Sequence, residues 1–145
     1  MAARNRDPAI LRPSELPSAE RGGGARTVPL VTVPRGAETF LNGITFFEPN
    51  AAIPLHTHNC EESVVVLEGN ALFEINGVEH DLGPLDTTWI PPGVPHRFKN
   101  SSATTGLKIL WIYGSINATR TLVETGETHS IASEHATGPG AQHAG

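Results

Sequence analysis

Short runs of alternating apolar and polar residues, separated by glycine, proline and asparagine, dominate the middle of the chain. The most regular runs are Glu62–Glu68 and Leu107–Tyr113, where every second side chain would share one face of a strand. Further β-rich runs cover residues 27–33, 40–48 and 53–58, Thr87–Ile90 and His96–Lys99. No long segment has the 3.6-residue repeat of an amphipathic helix. The pattern predicts an all-β domain of the barrel or jelly-roll type.

Two local signals refine this prediction. Asn76-Gly77 stands between Ala71–Ile75 and residues 78–81, and Asn-Gly favours the tight type I′ turn of a β-hairpin. Residues 27–33 contain Pro29, which has no N–H to donate to a neighbouring strand. This segment is therefore predicted to be an edge strand.

The 145 residues, with 15 glycines and 12 prolines, predict one turn-rich domain. Residues 1–26 include three prolines and the run Gly22-Gly23-Gly24, which indicates a flexible N-terminal arm. Residues 27–124 are predicted to form the β-barrel. The polar, glycine-containing residues 125–145 are predicted to be a flexible C-terminal tail.

Charge is unevenly distributed along the chain. Residues 1–35 hold six arginines and three acidic residues, whereas residues 36–145 hold four basic and twelve acidic residues. Because an acidic domain repels phosphate backbones, a nucleic-acid partner is not expected. The sequence has no apolar run of membrane-spanning length and no secretory signal pattern at its N-terminus. Its single cysteine, Cys60, cannot form an internal disulfide and is typical of the cytoplasm.

Three histidines and a glutamate stand at a spacing typical of metal ligands. His56 and His58 are two residues apart, so on a strand they point the same way. Glu62 follows four residues later, and His96 comes from another segment. Three imidazole nitrogens and one carboxylate suit a divalent transition metal. Burying these groups together without a partner would be costly, so the spacing predicts one metal site.

The same residues resemble the two sequence motifs of the cupin superfamily. The residues that match the first motif are His56, His58, Glu62 and Gly69. The residues that match the second motif are Pro91, Gly93, His96 and Asn100. The leading glycine of each motif is replaced, by Asn50 and by Leu85. Asparagine tolerates a left-handed backbone, whereas for Leu85 the preceding Gly83-Pro84 are an alternative location for the turn.

This resemblance implies a single cupin jelly-roll barrel, also called a double-stranded β-helix. It implies that His56, His58, Glu62 and His96 bind one divalent metal ion. Iron, manganese, nickel, zinc and copper all occur in cupins with this ligand set, so the metal stays open. The resemblance also implies a homodimer in which residues 27–33 pair with a second subunit.

Alternation predicts which side chains surround the metal. Val64 and Val66 share the face of Glu62, and Phe98 shares the face of His96. In Leu107–Tyr113 either of two faces could point inward. The first face carries Ile109, Trp111 and Tyr113, and the second carries Lys108, Leu110 and Ile112. With the family layout added, the predicted substrate-binding residues are Phe46, Phe73, Phe98 and Trp111.

The resemblance implies a metal-dependent enzyme that acts on a small molecule. Few charges fall at the predicted inward positions, which favours O₂-dependent, dioxygenase-like oxidation of an apolar or aromatic substrate. A non-redox isomerase, lyase or decarboxylase is the main alternative, with Tyr113 or Glu48 as the candidate general base. A stand-alone protein that binds a small ligand without catalysis is a further alternative.

Overall fold

Two six-stranded antiparallel sheets make up most of the computed structural model, which describes residues 7–134. The strands are β1 (Ala19–Gly22), β2 (Ala25–Val31), β3 (Leu41–Phe47), β4 (His56–His58), β5 (Glu62–Glu68), β6 (Ala71–Ile75), β7 (Val78–Leu82), β8 (Thr87–Ile90), β9 (His96–Lys99), β10 (Leu107–Tyr113), β11 (Thr119–Leu122) and β12 (Thr128–Ser130). The first sheet has the order β1-β2-β3-β10-β5-β8, and the second has the order β12-β11-β4-β9-β6-β7.

In the part of the chain that the structure describes, helical structure is limited to short turns. Pro13–Glu15 and Val33–Arg35 form 3-10 turns, and Ile131–Glu134 forms the single-turn helix α1. Within residues 7–134, none of the helices has the length and apolar character needed to span a bilayer.

The hydrophobic core is built from the alternating inward residues of both sheets. Every second residue of β3 and of β10 is buried, beginning with Leu41 and Leu107. Ile109, Trp111 and Tyr113 are the inward residues of β10, which decides between the two faces left open by the sequence. Burying one such large apolar side chain contributes about 1.5–3 kcal/mol.

The central strands confirm the sequence prediction. Strands β5, β8, β9 and β10 lie at the predicted positions, and β6 and β7 form the predicted hairpin. Asn76 and Gly77 at its turn have φ values of 50° and 80°, as a type I′ turn requires at both central positions.

The predicted limits of the domain were too narrow. Residues 19–22 and 25–26 were assigned to a flexible arm, yet they lie in β1 and β2, and Ala19 and Arg21 are buried. The reason is that Gly23 and Gly24 form the turn between β1 and β2, and that Gly22, Gly23 and Gly24 all have a positive φ. Residues 128–134, predicted to be tail, form β12 and α1, and Ile131 is fully buried. The rest of the predicted arm and tail includes residues 1–6 and 135–145, which lie outside the described residues.

The prediction of an edge strand at residues 27–33 holds for part of that segment. Strand β2 pairs with β3 from Ala25 to Val31, whereas its pairing with β1 covers Ala25, Arg26 and Thr27. Pro29 is accommodated at an irregularity in the β2–β3 register, between Pro29 and Val31. The two outer strands of this sheet are β1 and β8, and homodimer formation stays a prediction.

The jelly-roll prediction is confirmed, but the sheets do not close into a barrel. Within residues 7–134, every strand pairing joins two members of the same sheet. The two sheets therefore meet through side chains, with the core between them.

Both residues that replace motif glycines keep the glycine-like backbone. Asn50 has a φ of 64° and Leu85 has a φ of 74°. Gly83-Pro84 belongs to the second turn, since the Asp86 N–H donates to the Gly83 oxygen at 3.1 Å, but Leu85 is the residue of that turn that adopts the left-handed conformation. That conformation costs a non-glycine residue about 1–2 kcal/mol.

We expect Leu85→Gly to stabilise the protein. Leu85 is 76% exposed, so the substitution loses little packing while it relieves backbone strain. Glycine also gives the unfolded chain more conformational entropy, which offsets part of this effect. The expected net increase in the free energy of unfolding is about 0.5–1 kcal/mol. Thermal unfolding should show a midpoint about 2–4 °C higher. The control is Val78→Gly, at a position 56% exposed in a regular strand, which should lower the midpoint. A lower midpoint for Leu85→Gly would contradict the strain assignment.

Candidate metal centre

Four side chains predicted to bind a metal converge between the two sheets. His56 and His58 both point inward from β4, and His96 is the cross-strand partner of His56 in β9. Glu62 is the first residue of β5 in the opposite sheet. All four residues are at most 5% exposed. Neither sheet supplies the whole set, so the site forms where the two sheets face each other.

The three imidazole rings are close together. Their centroids are 4.5 Å apart for His56 and His96, 4.8 Å for His56 and His58, and 5.1 Å for His58 and His96. One nitrogen from each ring lies within 4.8 Å of the other two. Glu62 completes the cluster, with Oε1 at 2.9 Å from His96 Nε2 and Oε2 at 3.5 Å from His58 Nε2.

Backbone carbonyls fix the orientation of all three rings. Nδ1 of His56 lies 2.7 Å from the Pro54 oxygen, and Nδ1 of His58 lies 2.9 Å from the Thr119 oxygen. Nδ1 of His96 lies 2.8 Å from the Val94 oxygen. A carbonyl oxygen can only accept, so each Nδ1 carries the hydrogen and donates it. Nε2 is then the nitrogen through which each ring can bind an ion, the arrangement typical of metal-binding histidines.

The cluster is electrostatically matched to a cation. With Nδ1 protonated, a neutral imidazole offers only a lone pair at Nε2, and an ionised Glu62 offers only lone pairs. Acceptors that face one another at 2.9 Å need a positive charge, carried by a proton or by a metal ion. The donor set of three nitrogens and one carboxylate fits a divalent transition metal.

The surroundings of the cluster shift the pKa values of two of its members. Burial, followed by the neighbouring His58 and His96, holds the pKa of His56 well below its ordinary value. Burial alone would raise the pKa of Glu62, but the charges and hydrogen bonds of His58 and His96 outweigh burial and hold it well below the usual range. At neutral pH, His56 is therefore a neutral imidazole and Glu62 is a carboxylate.

We expect the metal-free protein to lose stability on acidification. The folded-state pKa of His56 lies below its ordinary 6.5, so the unfolded chain takes up that proton first. Stability should fall as pH drops from about 6.5, by up to about 1.4 kcal/mol per pH unit. The lowered pKa of Glu62 adds a further loss below about pH 4.5.

Thermal unfolding of chelator-treated protein between pH 8 and pH 5 measures this loss. The exposed His80 in β7 offers the control, since His80→Gln should leave the profile unchanged. A midpoint that stays constant or rises between pH 7 and pH 5 would contradict the assignment for His56.

A small inner cavity adjoins the cluster. Its volume is about 20 Å³, roughly the space of one water molecule. The residues that line this inner cavity are Arg21, Thr45, Phe47, Ile53, His56, Glu62, Val64, Phe98, Ile109, Trp111, Tyr113 and Arg120. The predicted site residues Phe98, Trp111 and Tyr113 are therefore beside the cluster.

Tyr113 is the nearest of these aromatic residues to the histidines. Its ring contacts His58 edge-on at 4.8 Å between centroids and lies 5.2 Å from the Trp111 ring. Phe73 is buried and stacks on Phe98 at 4.5 Å. The predicted inward orientation of Phe73 and Phe98 is confirmed.

Two predicted site residues lie elsewhere. Phe46 was predicted to line the interior, but Phe47 occupies that face, and Phe46 lies on the outside of β3. Its ring packs under the Arg26 guanidinium at 4.1 Å and near the Lys108 ammonium at 5.3 Å. Glu48, a candidate general base, is exposed beyond the end of β3 and does not line the inner cavity. The inward orientation predicted for Phe46 was wrong, because two adjacent phenylalanines give no sign of which one faces inward.

Two arginines at the site were missed by sequence reasoning. Arg21 in β1 and Arg120 in β11 are 4% and 2% exposed. Arginine is rarely buried, and both lie in four-residue strands without a strong β pattern, so no signal identified them. They correct the expectation that the interior carries few charges.

Cys60 takes no part in the cluster. It lies in the loop between β4 and β5, and burial raises the pKa of its thiol.

Comparison with known proteins agrees with this architecture. The family model for the cupin domain, Cupin_2, matches residues 43–113. A cupin 2 domain-containing protein from Halorhodospira halophila is 30% identical, with 66% of this chain and 68% of that chain covered and a TM-score of 0.60. The polyketide cyclase RemF from Streptomyces resistomycificus has a TM-score of 0.70 at 21% identity, with 86% of each chain covered.

A curated relative, auxin-binding protein T85 from Nicotiana tabacum, is 28% identical over 71% of this chain. The chain spans about 62% of the length of that relative. The fold, the two histidine motifs and the matched domain lead to one conclusion: the chain belongs to the cupin superfamily.

Proposed function

We propose that this protein is a metal-dependent enzyme acting on a small organic molecule. In this proposal His56, His58, Glu62 and His96 hold one divalent transition metal ion. The observation that supports it is the set of three Nδ1–carbonyl hydrogen bonds, which leave Nε2 free to bind an ion in three buried rings whose ligand atoms lie within 4.8 Å of one another, beside a carboxylate. The donor set does not select among iron, manganese, nickel, zinc and copper.

An ion held by four protein ligands would supply a Lewis acid with open positions for a substrate. The side chains around it would do the remaining work. Trp111 and Phe98 would line the substrate site with apolar surface, and burial of the site would exclude water. Because the inner cavity has a volume of only about 20 Å³, a substrate larger than water would have to displace side chains on entry.

Tyr113 is the candidate proton donor and acceptor. Its phenol group belongs to a side chain that is 4% exposed, lines the inner cavity and contacts His58. With Glu48 outside the site, Tyr113 is the remaining candidate of the two named from the sequence. This position favours a reaction with proton transfer, such as isomerisation, elimination or decarboxylation.

Dioxygenase-like oxidation is the second candidate. It was favoured by an interior with few charges, and the buried Arg21 and Arg120 remove that argument. An enclosed site beside a transition metal still suits oxygen chemistry, so the test must separate the two classes.

The test uses protein loaded separately with Fe(II), Mn(II) and Zn(II). Each form is incubated in D₂O with small hydroxy acids, oxo acids, diketones and catechols. An oxygen electrode records O₂ uptake, and NMR records C–H exchange and product formation. Turnover without O₂ uptake supports proton-transfer chemistry, and uptake coupled to product formation supports the dioxygenase class. Binding of these compounds without turnover would contradict an enzymatic role.

We expect Tyr113→Phe to lower turnover about 100-fold, the usual contribution of a general acid or base. The metal content should stay unchanged, because the phenol oxygen is not part of the proposed ligand set. Trp89→Phe is the control, since Trp89 is 63% exposed and hydrogen-bonds Glu61 at the surface. Wild-type turnover in Tyr113→Phe would exclude the phenol from the reaction.

A further inference from the structure

The described part of the chain encloses the histidine cluster. The four residues of the cluster are at most 5% exposed, and the inner cavity beside them has a volume of about 20 Å³. That volume is roughly the space of one water molecule. A small organic molecule can therefore reach the cluster only if an element that lines the inner cavity moves.

Strand β1 is the lining element that is held by the fewest neighbours. Among the strands of residues 7–134 that line the inner cavity, β1 alone lies at the edge of its sheet. The other lining strands, which are β3, β4, β5, β9, β10 and β11, each have a neighbour on both sides. The ladder between β1 and β2 has three register pairs and is irregular between Glu20 and Gly22. Local opening is easiest in elements with few contacts, which favours β1 as the element that moves.

Little apolar surface holds β1 in place. Ala19 and Arg21 are its buried residues, whereas Glu20 and Gly22 are exposed. The preceding residues 7–18 include no buried side chain. Exposing one alanine methyl group to water costs little. Opening β1 would therefore lose much less hydrophobic stabilisation than opening a core strand such as β10, in which four side chains are buried.

The turn after β1 can bend, and it packs closely when β1 is in place. Gly22, Gly23 and Gly24 have φ values of 77°, 62° and 85°, which glycine adopts without steric cost. A β-carbon at position 23 would lie 2.8 Å from the Ala52 oxygen, and one at position 24 would lie 2.9 Å from the Ala51 β-carbon. At position 22 it would meet nothing within 4 Å. The turn therefore has a close-packed part and a part with room to bend.

The contacts of Arg21 connect β1 to an aromatic wall of the inner cavity. Arg21 Nη1 lies 3.5 Å from Thr27 Oγ1, and the Thr27 and Thr45 hydroxyls are 2.8 Å apart. Thr45 Oγ1 accepts a hydrogen bond from Trp111 Nε1 at 2.9 Å. Movement of β1 would take Arg21 out of the lining and expose this hydrogen-bonded chain to water.

We propose that residues 19–24, which comprise β1 and the turn after it, form a lid that opens to admit small molecules to the inner cavity. The lid bends at its glycines and separates from β2, which stays paired with β3. Because Arg21 and Arg120 line the inner cavity from opposite sheets, withdrawal of Arg21 opens a gap between the two sheets beside the cluster. This inference rests on the proposed function for what enters, namely the metal ion and the substrate.

Hydrogen exchange at the Trp111 indole measures lid opening in the metal-free protein. The chain has two tryptophans, and the other, Trp89, is 63% exposed, so its N–H signal in NMR spectra disappears first in D₂O. After correction for intrinsic rates, the Trp111 Nε1–H should exchange at least tenfold faster than the backbone N–H of Val64 in the central strand β5. The reason is that lid opening leaves β5 paired. Equal rates would mean that only global unfolding exposes Trp111, and would overturn the lid.

A disulfide between β1 and β2 should lock the lid. Glu20 and Arg26 are direct cross-strand partners, and the Cα separation of such partners, about 4.5–5.5 Å, suits a disulfide. In a Cys60→Ser background, oxidation of Glu20→Cys/Arg26→Cys should slow Trp111 exchange at least tenfold relative to Val64 exchange. Reduction should restore the faster rate. An exchange ratio that is the same in both redox forms would count against the proposal.

Gly23→Ala should shift the lid toward the open state. Its β-carbon would meet the Ala52 oxygen, and its φ of 62° is unfavourable for alanine, so Trp111 exchange should rise at least tenfold relative to Val64 exchange. Gly77→Ala is the matched control, because its φ of 80° brings the same strain to the β6–β7 turn, where nothing lies within 4 Å. It should leave the exchange ratio unchanged. If Gly23→Ala fails to fold, the disulfide variant decides alone.

Zinc release connects the lid to the proposed metal site. Transfer of Zn(II) from the loaded protein to excess EDTA should be at least tenfold slower for oxidised Glu20→Cys/Arg26→Cys than for its reduced form. The control is Leu72→Cys/Asp81→Cys, a cross-strand pair of β6 and β7, two described strands that do not line the inner cavity. Its zinc release and its indole exchange should be independent of oxidation.

The outcomes separate this inference from the proposed function. Zinc release that is unchanged by oxidation of the lid variant would overturn β1 as the route to the cluster and leave the metal proposal standing. A wild-type protein that binds no zinc or other divalent transition metal would overturn the proposed function. The indole exchange, measured without metal, would still decide whether the lid opens.

Discussion

Replacing His96 with alanine should reduce bound metal from one ion per chain to almost none. His96 provides one of three converging imidazoles and the 2.9 Å contact to Glu62, so its loss removes a ligand and leaves the carboxylate without its nearest partner. Removing a group that merely supports a ligand commonly costs 10–100-fold in affinity, and the loss of a ligand should exceed 100-fold. His56→Ala should behave in the same way.

Elemental analysis after dialysis against a competing chelator measures this effect. His80→Ala is the matched control, because His80 is an exposed histidine of β7 and should keep full metal content. Circular dichroism should show an unchanged β-sheet spectrum in all three variants. Full metal content in His96→Ala would remove His96 from the ligand set.

Replacing Gly43 with alanine should destabilise the protein strongly. A β-carbon at position 43 would lie 2.4 Å from Trp111 Cζ2, 2.7 Å from Trp111 Cη2 and 2.7 Å from the backbone oxygen of Val28. Trp111 is held by its hydrogen bond to Thr45, and the Val28 oxygen belongs to the paired strand, so neither can move freely. Overpacking of this kind costs about 1–3 kcal/mol.

Thermal and denaturant unfolding should therefore show a midpoint several degrees lower for Gly43→Ala. Gly114→Ala provides the control, because its added β-carbon would meet neighbours only at 3.7 Å or beyond and its φ is not in the left-handed region. Because Trp111 packs on Tyr113, Gly43→Ala should also reduce any activity that depends on Tyr113. Wild-type stability in this variant would mean that the Trp111 ring is not fixed over Gly43.

The sequence predicted the central strands and the histidine cluster because both depend on fixed periods. Alternation over seven residues identified β5 and β10, and the two-residue spacing of His56 and His58 requires both to share one face. The resemblance to the cupin motifs added Glu62 and His96 to that pair. Such features depend on the spacing of residues along the chain, which can be read directly from the sequence.

The remaining parts of the site depend on long-range packing. Strand β1 is positioned by its pairing with β2, and β11 is positioned by its pairings with β4 and β12. Each of these strands has only four residues, which is too few for an alternating pattern to be recognised in the sequence. Arg21 and Arg120 are consequently buried against the usual preference of arginine, and the choice between Phe46 and Phe47 was decided by the register of β3.

X-ray absorption spectroscopy of the tag-free, metal-loaded protein tests whether the three histidines together bind one ion. We expect one ion per chain whose first coordination sphere contains three imidazoles, seen as multiple scattering from the rings, together with oxygen ligands. His56→Ala should reduce the imidazole contribution of any ion that is retained. A spectrum with oxygen ligands alone, or an imidazole contribution unchanged by that substitution, would show that the histidine cluster is not the metal site.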